Sequence, residues 1–295
     1  MKYGYACINT ALCKLRPKIY VNRSMIQKTF KSCGLKYASE LALKNVTDLF
    51  KVIKWNNNNN IHFYRMSSNM FPWMSEYELN ELPDFKKIKN LLKNIGIFVN
   101  QNNHRLTFHP GPFNVLASPK QFVVNKTVKE INQHAQIMDL MNLEQSSFSK
   151  INVHIGGVYK SKIDSLKRWC DNYNLLSQSA KNRLTVENDD KINCYNINDL
   201  LFVHLQLNVP LVLDYHHHFC NPGKLSLKDA VSIVIQTWNG ITPVIHISQQ
   251  RDNLNIRAHS DFITEKFHTF NYDVDVMFEA KMKEQALIQY RQFQF

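Results

Sequence analysis

The feature that most constrains the fold of this chain is a regular alternation of short β-rich runs with longer segments of helical periodicity. Each run holds five to seven residues, mostly β-branched, aromatic or other apolar side chains, a pattern typical of buried strands. The eight runs lie at residues 2–8, 61–66, 105–109, 151–155, 183–187, 211–215, 242–247 and 274–280.

Between the runs, apolar residues recur at spacings of three and four, which predicts amphipathic helices. Strand–helix alternation indicates an α/β fold with a parallel sheet. A doubly wound sheet produces the same alternation, but eight runs ending close to the C-terminus favour a (β/α)8 TIM barrel, formed by a single domain over residues 1–295. The helical segments lie at 38–55, 123–142, 161–178, 196–208 and 225–236, the last with Ser226 as its cap.

One low-complexity patch interrupts this pattern, the "WNNNNN" of residues 55–60. It lies between a helical segment and a β-rich run, where an asparagine-rich stretch is typical of a loop. We expect an expanded loop tip that is a neutral insertion rather than a binding element.

Composition narrows the class of protein. The formal net charge is +12 and the sequence pI is about 9.3, which favours a polyanionic partner over a small neutral substrate, although a solvated lysine-rich surface has the same composition.

The six cysteines form no CxxC pair, which is typical of a reduced, intracellular protein. The N-terminus is too polar for a signal peptide, and no apolar run is long enough for a membrane span. We therefore expect an intracellular protein of the cytoplasm or nucleus.

Metal-binding residue types follow the predicted strands in order. In a barrel the carboxyl ends of all strands meet at one face, and that face holds the active site. A lone strand-end histidine is more often structural than a ligand, and Glu187 could instead cap a helix, but chance would scatter six such residues over both ends. The residues at or near these strand ends are His109, His154, Glu187, Asp214, His246 and Glu279.

The stretch "LVLDYHHHFCNPG" at 211–223 places three consecutive histidines after Asp214 and Tyr215, and we expect at least one of them to join the same site. Imidazole and carboxylate ligands without thiolate suit zinc, manganese or iron. Because a catalytic zinc needs only three protein ligands, six to eight candidates imply a cluster of two or three ions. Such clusters stabilise the attacking and leaving oxygens of a phosphoryl displacement.

Beyond these residues, nine short motifs occur in the order seen in UV damage endonucleases, and the resemblance extends over nearly the whole chain. "HSDFI" and "EAKMKE", together with "END" and the Asp-x-x-His run, are the most specific as a set. The motifs are "GYACIN" (4–9), "YRMSSNMFP" (64–72), "FHPGPF" (108–113), "VHIGG" (153–157), "VENDD" (186–190), "DYHHHFCNPG" (214–223), "HISQQ" (246–250), "RAHSDFI" (257–263) and "FEAKMKEQAL" (278–287).

This resemblance implies an endonuclease IV type of TIM barrel that nicks damaged double-stranded DNA 5′ to UV photoproducts, and often to abasic sites, leaving a 3′-hydroxyl and a 5′-phosphate. It implies two or three divalent cations, with manganese favoured over zinc or magnesium. The implied metal ligands are His109, His154, Glu187, Asp214, His217, His246, His259 and Glu279. Of these we expect Glu187, Glu279 and His217 to be catalytic, and His216 and His218 to be neighbours of the site.

For DNA contact, the aromatic and polar candidates are Tyr5, Asn9 and Phe113, with Phe219 as a further aromatic. Arg65, Arg257 and Lys281 are the candidates for phosphate contact. Packing at the barrel rim, or solvated surface charge, is the structural alternative for each of them. We expect the protein to act as a monomer.

The chain departs from the family pattern at two positions. Val244 stands where the family usually has a lysine two residues before His246, and Pro112 stands where it tends to have glutamine. The second departure keeps open an abasic-site endonuclease without photoproduct activity. A metal-dependent barrel enzyme of the sugar-isomerase kind is a further alternative, because such enzymes share strand-end histidine, glutamate and aspartate ligands.

Overall fold

A computed structural model describes residues 1–293, and the last two residues of the predicted 1–295 domain lie outside the described residues. All strand pairs are parallel, in the order β3-β2-β1-β8-β7-β6-β5-β4. All eight predicted runs contain a strand, each shorter than the run. The strands are β1 (Tyr3–Ala6), β2 (Phe63–Arg65), β3 (Arg105–Thr107), β4 (Ile151–Val153), β5 (Leu184–Glu187), β6 (Leu211–Asp214), β7 (Val244–Ile247) and β8 (Asp275–Phe278).

The sheet closes on itself between β3 and β4 through an isolated parallel bridge from Phe108 to Ile151. The Phe108 N–H donates to the Lys150 carbonyl at 2.9 Å, and the Asn152 N–H donates to the Phe108 carbonyl at 2.9 Å. The prediction of a TIM barrel is therefore confirmed, with this short seam as its weakest strand pairing.

Helices follow the strands and cover the outside of the barrel. The segment predicted at 161–178 is α5 followed by a turn before α6, and the amphipathic α3 was not predicted. None of the helices within residues 1–293 combines the length and apolar composition that a membrane span requires. The helices are α1 (Thr10–Cys13), α2 (Gln27–Asn58), α3 (Phe85–Gln101), α4 (Gln121–Leu140), α5 (Lys162–Tyr173), α6 (Gln178–Arg183), α7 (Ile197–Leu207), α8 (Tyr215–Cys220), α9 (Leu227–Gln236) and α10 (Lys283–Gln292).

Side-chain caps set several of these helix starts. Ser226 accepts a hydrogen bond from the Asp229 N–H, as predicted for α9. Asn196 and Asp199 form a reciprocal capping box at the start of α7. By contrast, α2 is broken at Gly34, where φ is 60° and ψ is −155°, a conformation that only glycine adopts readily.

The loop prediction for residues 55–60 was wrong. Helix α2 continues to Asn58, and Asn56 is fully buried. Its Oδ1 accepts a hydrogen bond from the Tyr5 hydroxyl at 2.7 Å. Asparagine has a low helix propensity, but here a tertiary hydrogen bond and burial outweigh that preference.

A buried ion pair closes the amino-terminal end of the barrel. Arg105 and Asp275, at the starts of β3 and β8, approach to 3.0 Å. Arg105 also donates to the carbonyls of Phe148, Thr242 and Ser147 at 2.8, 2.9 and 3.2 Å. Because its guanidinium is paired and hydrogen-bonded on several sides, this buried charge is compensated within the fold.

Candidate metal centre

The carboxyl ends of the strands bring all six strand-end residues together, as the barrel prediction requires. Two overlapping sets of potential ligands form, one of His109, His154 and Glu187, the other of Glu187, Asp214, His246 and Glu279. Within each set the ligand atoms lie within 4.8 Å of one another. Glu187 belongs to both sets, so its carboxylate could bridge two cations.

Glu187 is the centre of this arrangement. Its Oε2 lies 3.1 Å from His109 Nε2 and 3.2 Å from His246 Nδ1. Its Oε1 lies 3.5 Å from His217 Nδ1. His246 Nδ1 also lies 3.0 Å from Oε1 of Glu279, so this ring nitrogen lies near both carboxylates. One fully buried carboxylate therefore contacts imidazoles from three different strand ends or loops.

Hydrogen bonds to neighbouring oxygens fix the orientation of the imidazole rings. His109 Nδ1 hydrogen-bonds the Pro110 carbonyl at 3.2 Å, and His217 Nδ1 hydrogen-bonds the Asn188 carbonyl at 2.8 Å. A carbonyl can only accept, so in both rings Nδ1 carries the proton and Nε2 keeps its lone pair for a ligand. His154 Nδ1 lies 3.2 Å from Asp189 Oδ1, a partner that acts in the same way.

The carboxylates are held by polar side chains beneath them. Arg65 Nη1 donates to Glu279 Oε1, and Asn152 donates to Glu187. Thr185 Oγ1 in turn donates to Asn152 Oδ1 at 2.8 Å and fixes the amide. These contacts come from β2, β4 and β5, so the barrel lumen itself orients the acids.

The charges of the site reinforce one another. Burial opposes ionisation of Glu187, but His246 and the other histidines hold the pKa of its carboxyl well below the usual value. Glu279 is mostly buried, and Arg65 holds the pKa of that carboxyl well below its ordinary range. Both acids are therefore anionic at neutral pH, which a cation site requires.

Two histidines of the first set differ in protonation. Burial lowers the pKa of His109 to about 4, so this ring is neutral at pH 7. Burial also disfavours charge on His154, but Asp189 and Glu187 outweigh it and raise the pKa of that ring to about 9. A cation would have to displace the proton of His154.

The residues present fit a group of divalent cations. Glu187 Oε1 and Asp214 Oδ2 are buried side-chain atoms without a hydrogen-bond partner, and His246 Nδ1 faces the carboxylates of Glu187 and Glu279. Buried polar atoms are rarely left unpaired, so a pocket that gathers such atoms suits cations. All the donors are nitrogen or oxygen, which suits manganese, zinc or magnesium.

His217 and His259, which only the resemblance identified, lie at the edge of this cluster. The His217 ring centroid is 5.7 Å from that of His154 and 6.4 Å from that of His259. Both rings are partly exposed toward the mouth of the barrel. His216 and His218, expected as neighbours, are both buried, and the His216 ring centroid lies 5.7 Å from that of His259.

The residues predicted to contact DNA separate into two groups. Tyr5 and Asn9 are buried and hydrogen-bond each other at 2.9 Å, and Arg65 is mostly buried against Glu279. In this conformation the first two offer no surface to a duplex, because the lumen packs around them. Phe113 is 90% exposed, and Phe219, Arg257 and Lys281 are also exposed around the site.

Sequence reasoning missed the residues that hold the ligands. Asn152, Asn188 and Lys150 are buried beside the acids and histidines, and burial lowers the pKa of the Lys150 amine to about 7. Asn152 alternates with the apolar Ile151 and Val153, a pattern that could have marked it as facing the lumen. Lys150 carried no such signal, since a lysine before a strand is usually solvated.

The two departures from the family pattern have different surroundings. Val244 is fully buried among Ala6, Phe63, Trp238 and Met277, so its position is part of an apolar layer of the lumen. Pro112 is exposed and precedes the exposed Phe113 on the loop after β3.

Comparison with known proteins agrees with this geometry. The sequence model of the family described as UV-endonuclease UvdE matches residues 1–294. The UV-damage endonuclease of Schizosaccharomyces pombe is 36% identical over 98% of this chain, which spans half the length of that relative. A putative UV-damage endonuclease of Acanthamoeba polyphaga mimivirus is 34% identical, with 98% of this chain and 89% of that protein covered.

Solved structures give the same result. The crystal structure of SacUVDE superposes with a TM-score of 0.88 at 29% identity, covering 99% of this chain and 97% of the other. D-psicose 3-epimerase from Clostridium cellulolyticum H10 gives 0.53 at 10% identity, over 94% and 84% of the two chains, which shows a shared barrel fold alone. From the match along its whole length, the chain belongs to the UV-endonuclease UvdE family.

Proposed function

We propose that this protein is a metal-dependent DNA repair endonuclease that nicks double-stranded DNA on the 5′ side of UV photoproducts. The observation that carries the proposal is the pair of ligand sets that share Glu187 at the carboxyl end of the barrel. Membership of a family whose relatives are named UV-damage endonucleases supplies the substrate class.

In this proposal the three histidines and three acids of the two sets hold the cations. Arg65 and Asn152 keep the Glu279 and Glu187 carboxylates in place, so that no reorganisation is needed when substrate arrives. When bound, divalent cations lower the pKa of water and neutralise charge on the phosphate oxygens. His217 and His259, at the mouth, would complete the ligand set or contact the phosphate.

The rim of the barrel would bind the duplex. Phe113 is exposed beside the site, and a bare aromatic ring can stack on a base that has left the helix. Photodimerised bases stack poorly, so exposing them costs less than exposing normal bases. Arg257 and Lys281 would contact the backbone, and the net charge of +12 predicts binding that weakens steeply as salt rises.

The test is incision of an end-labelled duplex that carries one thymine dimer, compared with an undamaged duplex of the same sequence. We expect cleavage only of the damaged strand, immediately 5′ to the dimer, with loss of activity in chelator and recovery with Mn²⁺. Cleavage that ignores the lesion, or that survives complete metal removal, would contradict the proposal.

A second candidate is an abasic-site endonuclease that does not cut photoproducts, and Pro112 favours it. Proline has no side-chain donor or acceptor, so position 112 could offer the duplex no polar contact, and Phe113 beside it could offer an aromatic one. An abasic duplex assayed beside the thymine-dimer duplex decides between the two. Incision of the abasic substrate alone would establish the second candidate.

A further inference from the structure

A block of positive charge follows the first strand of the barrel. Between Ala6 and Glu40 the chain has seven lysine and arginine residues and no aspartate or glutamate. Blocks of like charge repel internally and are typical of segments that bind nucleic acid. We call residues 14–31 the basic segment, and its exposed cations are Lys14, Arg16, Lys18, Lys28 and Lys31.

The basic segment lies at the mouth of the barrel. It begins after α1, in the connection that leaves the carboxyl end of β1, and it ends in the first turns of α2. Ser67 Oγ donates to Asn22 Oδ1 at 2.6 Å, and Trp73 Nε1 donates to the Met25 carbonyl at 2.9 Å. Ser67 and Trp73 follow the carboxyl end of β2, so these contacts hold the segment on the face that carries the candidate metal centre.

The backbone of the basic segment is well anchored. Arg23 pairs with Asp48 at 2.7 Å, and Asp48 Oδ2 also accepts the Tyr20 N–H at 3.0 Å. Asn45 Nδ2 donates to the Arg23 carbonyl at 2.9 Å. The Lys18 amine lies 4.0 Å from the centroid of the Tyr20 ring. Because these contacts already order the segment, little conformational entropy is lost when a ligand binds to it.

The exposed cations of the basic segment have no acidic partner. Within residues 1–293, none of the five forms an ion pair with a carboxylate, and Arg23 is the member of the segment that does. Elsewhere on the rim, Arg251 pairs with Asp252 at 2.9 Å and Arg257 pairs with Asp190 at 3.5 Å. The basic segment therefore carries unbalanced positive charge, which is complementary to a phosphate backbone.

We propose that the basic segment is a binding surface for the phosphate backbone of the duplex DNA beside the lesion. This inference rests on the proposed function, which supplies DNA as the ligand. Phosphate contacts position a protein on a duplex but carry no information about the bases. The basic segment therefore strengthens the binding of damaged and undamaged duplexes equally, and recognition of the lesion belongs to other residues at the mouth.

The experiment uses an undamaged duplex as the probe, because Mn²⁺-loaded protein should bind it without incision. Fluorescence anisotropy gives its Kd over a range of salt concentrations. For the triple variant with Lys14→Gln, Arg16→Gln and Lys18→Gln, we expect the slope of log Kd against log salt to fall by about 2 to 3, since each lost phosphate contact removes about 1. Between about 50 and 200 mM salt, the wild type should then lose about 16- to 64-fold more affinity than this variant.

Helix α3 offers a matched control. The triple variant with Lys86→Gln, Lys89→Gln and Lys93→Gln removes the same charge from exposed positions outside the barrel. Its slope should stay within about 0.5 of the wild-type value, because these lysines make no phosphate contact in the proposed complex. Both triple variants should keep the wild-type unfolding temperature, since exposed substitutions rarely change stability.

Equal changes of slope in the two triple variants would overturn the inference, because binding would then follow net charge alone. An unchanged slope in the basic-segment variant would overturn it as well. Should that variant not fold, Lys28→Gln with Lys31→Gln replaces it, with an expected decrease in slope of about 1 to 2.

Incision of the thymine-dimer duplex separates the two proposals. If the wild type binds DNA but does not incise this duplex, the proposed function fails. If the wild type incises it while the basic-segment variant keeps the wild-type slope, the proposed function stands and the inference alone fails.

Discussion

The two ends of the barrel both bury charged side chains, but these side chains have different hydrogen-bond partners at the two ends. At the amino-terminal end, Arg105 and Asp275 form a closed pair, and Asp275 also accepts the Lys2 N–H at 2.6 Å. At the carboxyl end, Glu187 and Asp214 each keep a buried oxygen with no partner. The first arrangement pairs its charges within the protein, and the second leaves acidic oxygens without a partner in the described chain.

This difference shows how buried charge indicates function. A satisfied buried pair contributes mainly to the fold, and removing one member leaves the other uncompensated. Unsatisfied acids reduce stability in the free protein and persist where they bind something. The comparison therefore predicts that mutations at the two ends separate stability from metal binding.

The largest effect is expected at the carboxyl end. Glu187→Gln removes the charge that the two ligand sets share, so we expect incision to fall by about 10³-fold or more. The metal-free variant should lose less stability than Arg105→Met, because the amide keeps the shape of the side chain and leaves no buried charge without its partner. Incision kinetics and denaturant unfolding measure the two quantities, and a large loss of stability would break the comparison.

The amino-terminal end should show the reverse pattern. Arg105→Met leaves Asp275 buried without its guanidinium, and we expect a loss of about 3–5 kcal/mol in the free energy of unfolding. Metal content should stay at the wild-type level in the folded fraction. The double variant with Asp275→Asn should recover part of the loss. Equal loss of metal from Arg105→Met and Glu187→Gln would contradict the proposed division of roles.

Metal binding should stabilise the carboxyl end selectively. At a free Mn²⁺ concentration of 100 times Kd, we expect about 2.7 kcal/mol of stabilisation for a single site. Arg105→Met should gain the same increment as the wild type, and Glu187→Gln should gain little. Thermal unfolding with Mn²⁺ and with chelator checks this, and an equal increment in all three proteins would place the metal elsewhere.

The smallest effect is expected for His134, which lies at neither end of the barrel and therefore serves as a reference for the comparison. Burial of His134 on α4 lowers the pKa of its ring to about 4. The unfolded chain therefore binds a proton that the folded chain does not, and stability is lost as pH falls from about 6.5 toward 4. This group should account for about 1 kcal/mol between pH 7.5 and 5.5.

His134→Gln should remove that part of the pH dependence, and the exposed His268→Gln serves as the control. Denaturant unfolding of the metal-free proteins at several pH values measures the difference. If His134→Gln keeps the full wild-type slope, the acid sensitivity originates at one of the barrel ends instead.

Local patterns predicted much of the fold and of the ligand set. The alternation of apolar runs predicted all eight strands, and the strand-end rule predicted that His109, Glu187, Asp214 and Glu279 meet. The rule works because parallel strands in a barrel necessarily share one carboxyl face. The same reasoning failed for residues 55–60, where asparagines typical of a loop continue α2 because Asn56 bonds Tyr5.

By itself, the sequence determined the barrel, the face that gathers the acids and histidines and the types of residue on it, since strand period and residue type are local properties. Only the tertiary structure decided that Glu187 belongs to two sets of potential ligands. It also decided that Tyr5 is buried in the barrel interior and that Lys150 contacts His246. Those outcomes depend on which side chains share the lumen once β3 meets β4. Residues 96 positions apart, such as Lys150 and His246, become neighbours only when the barrel closes.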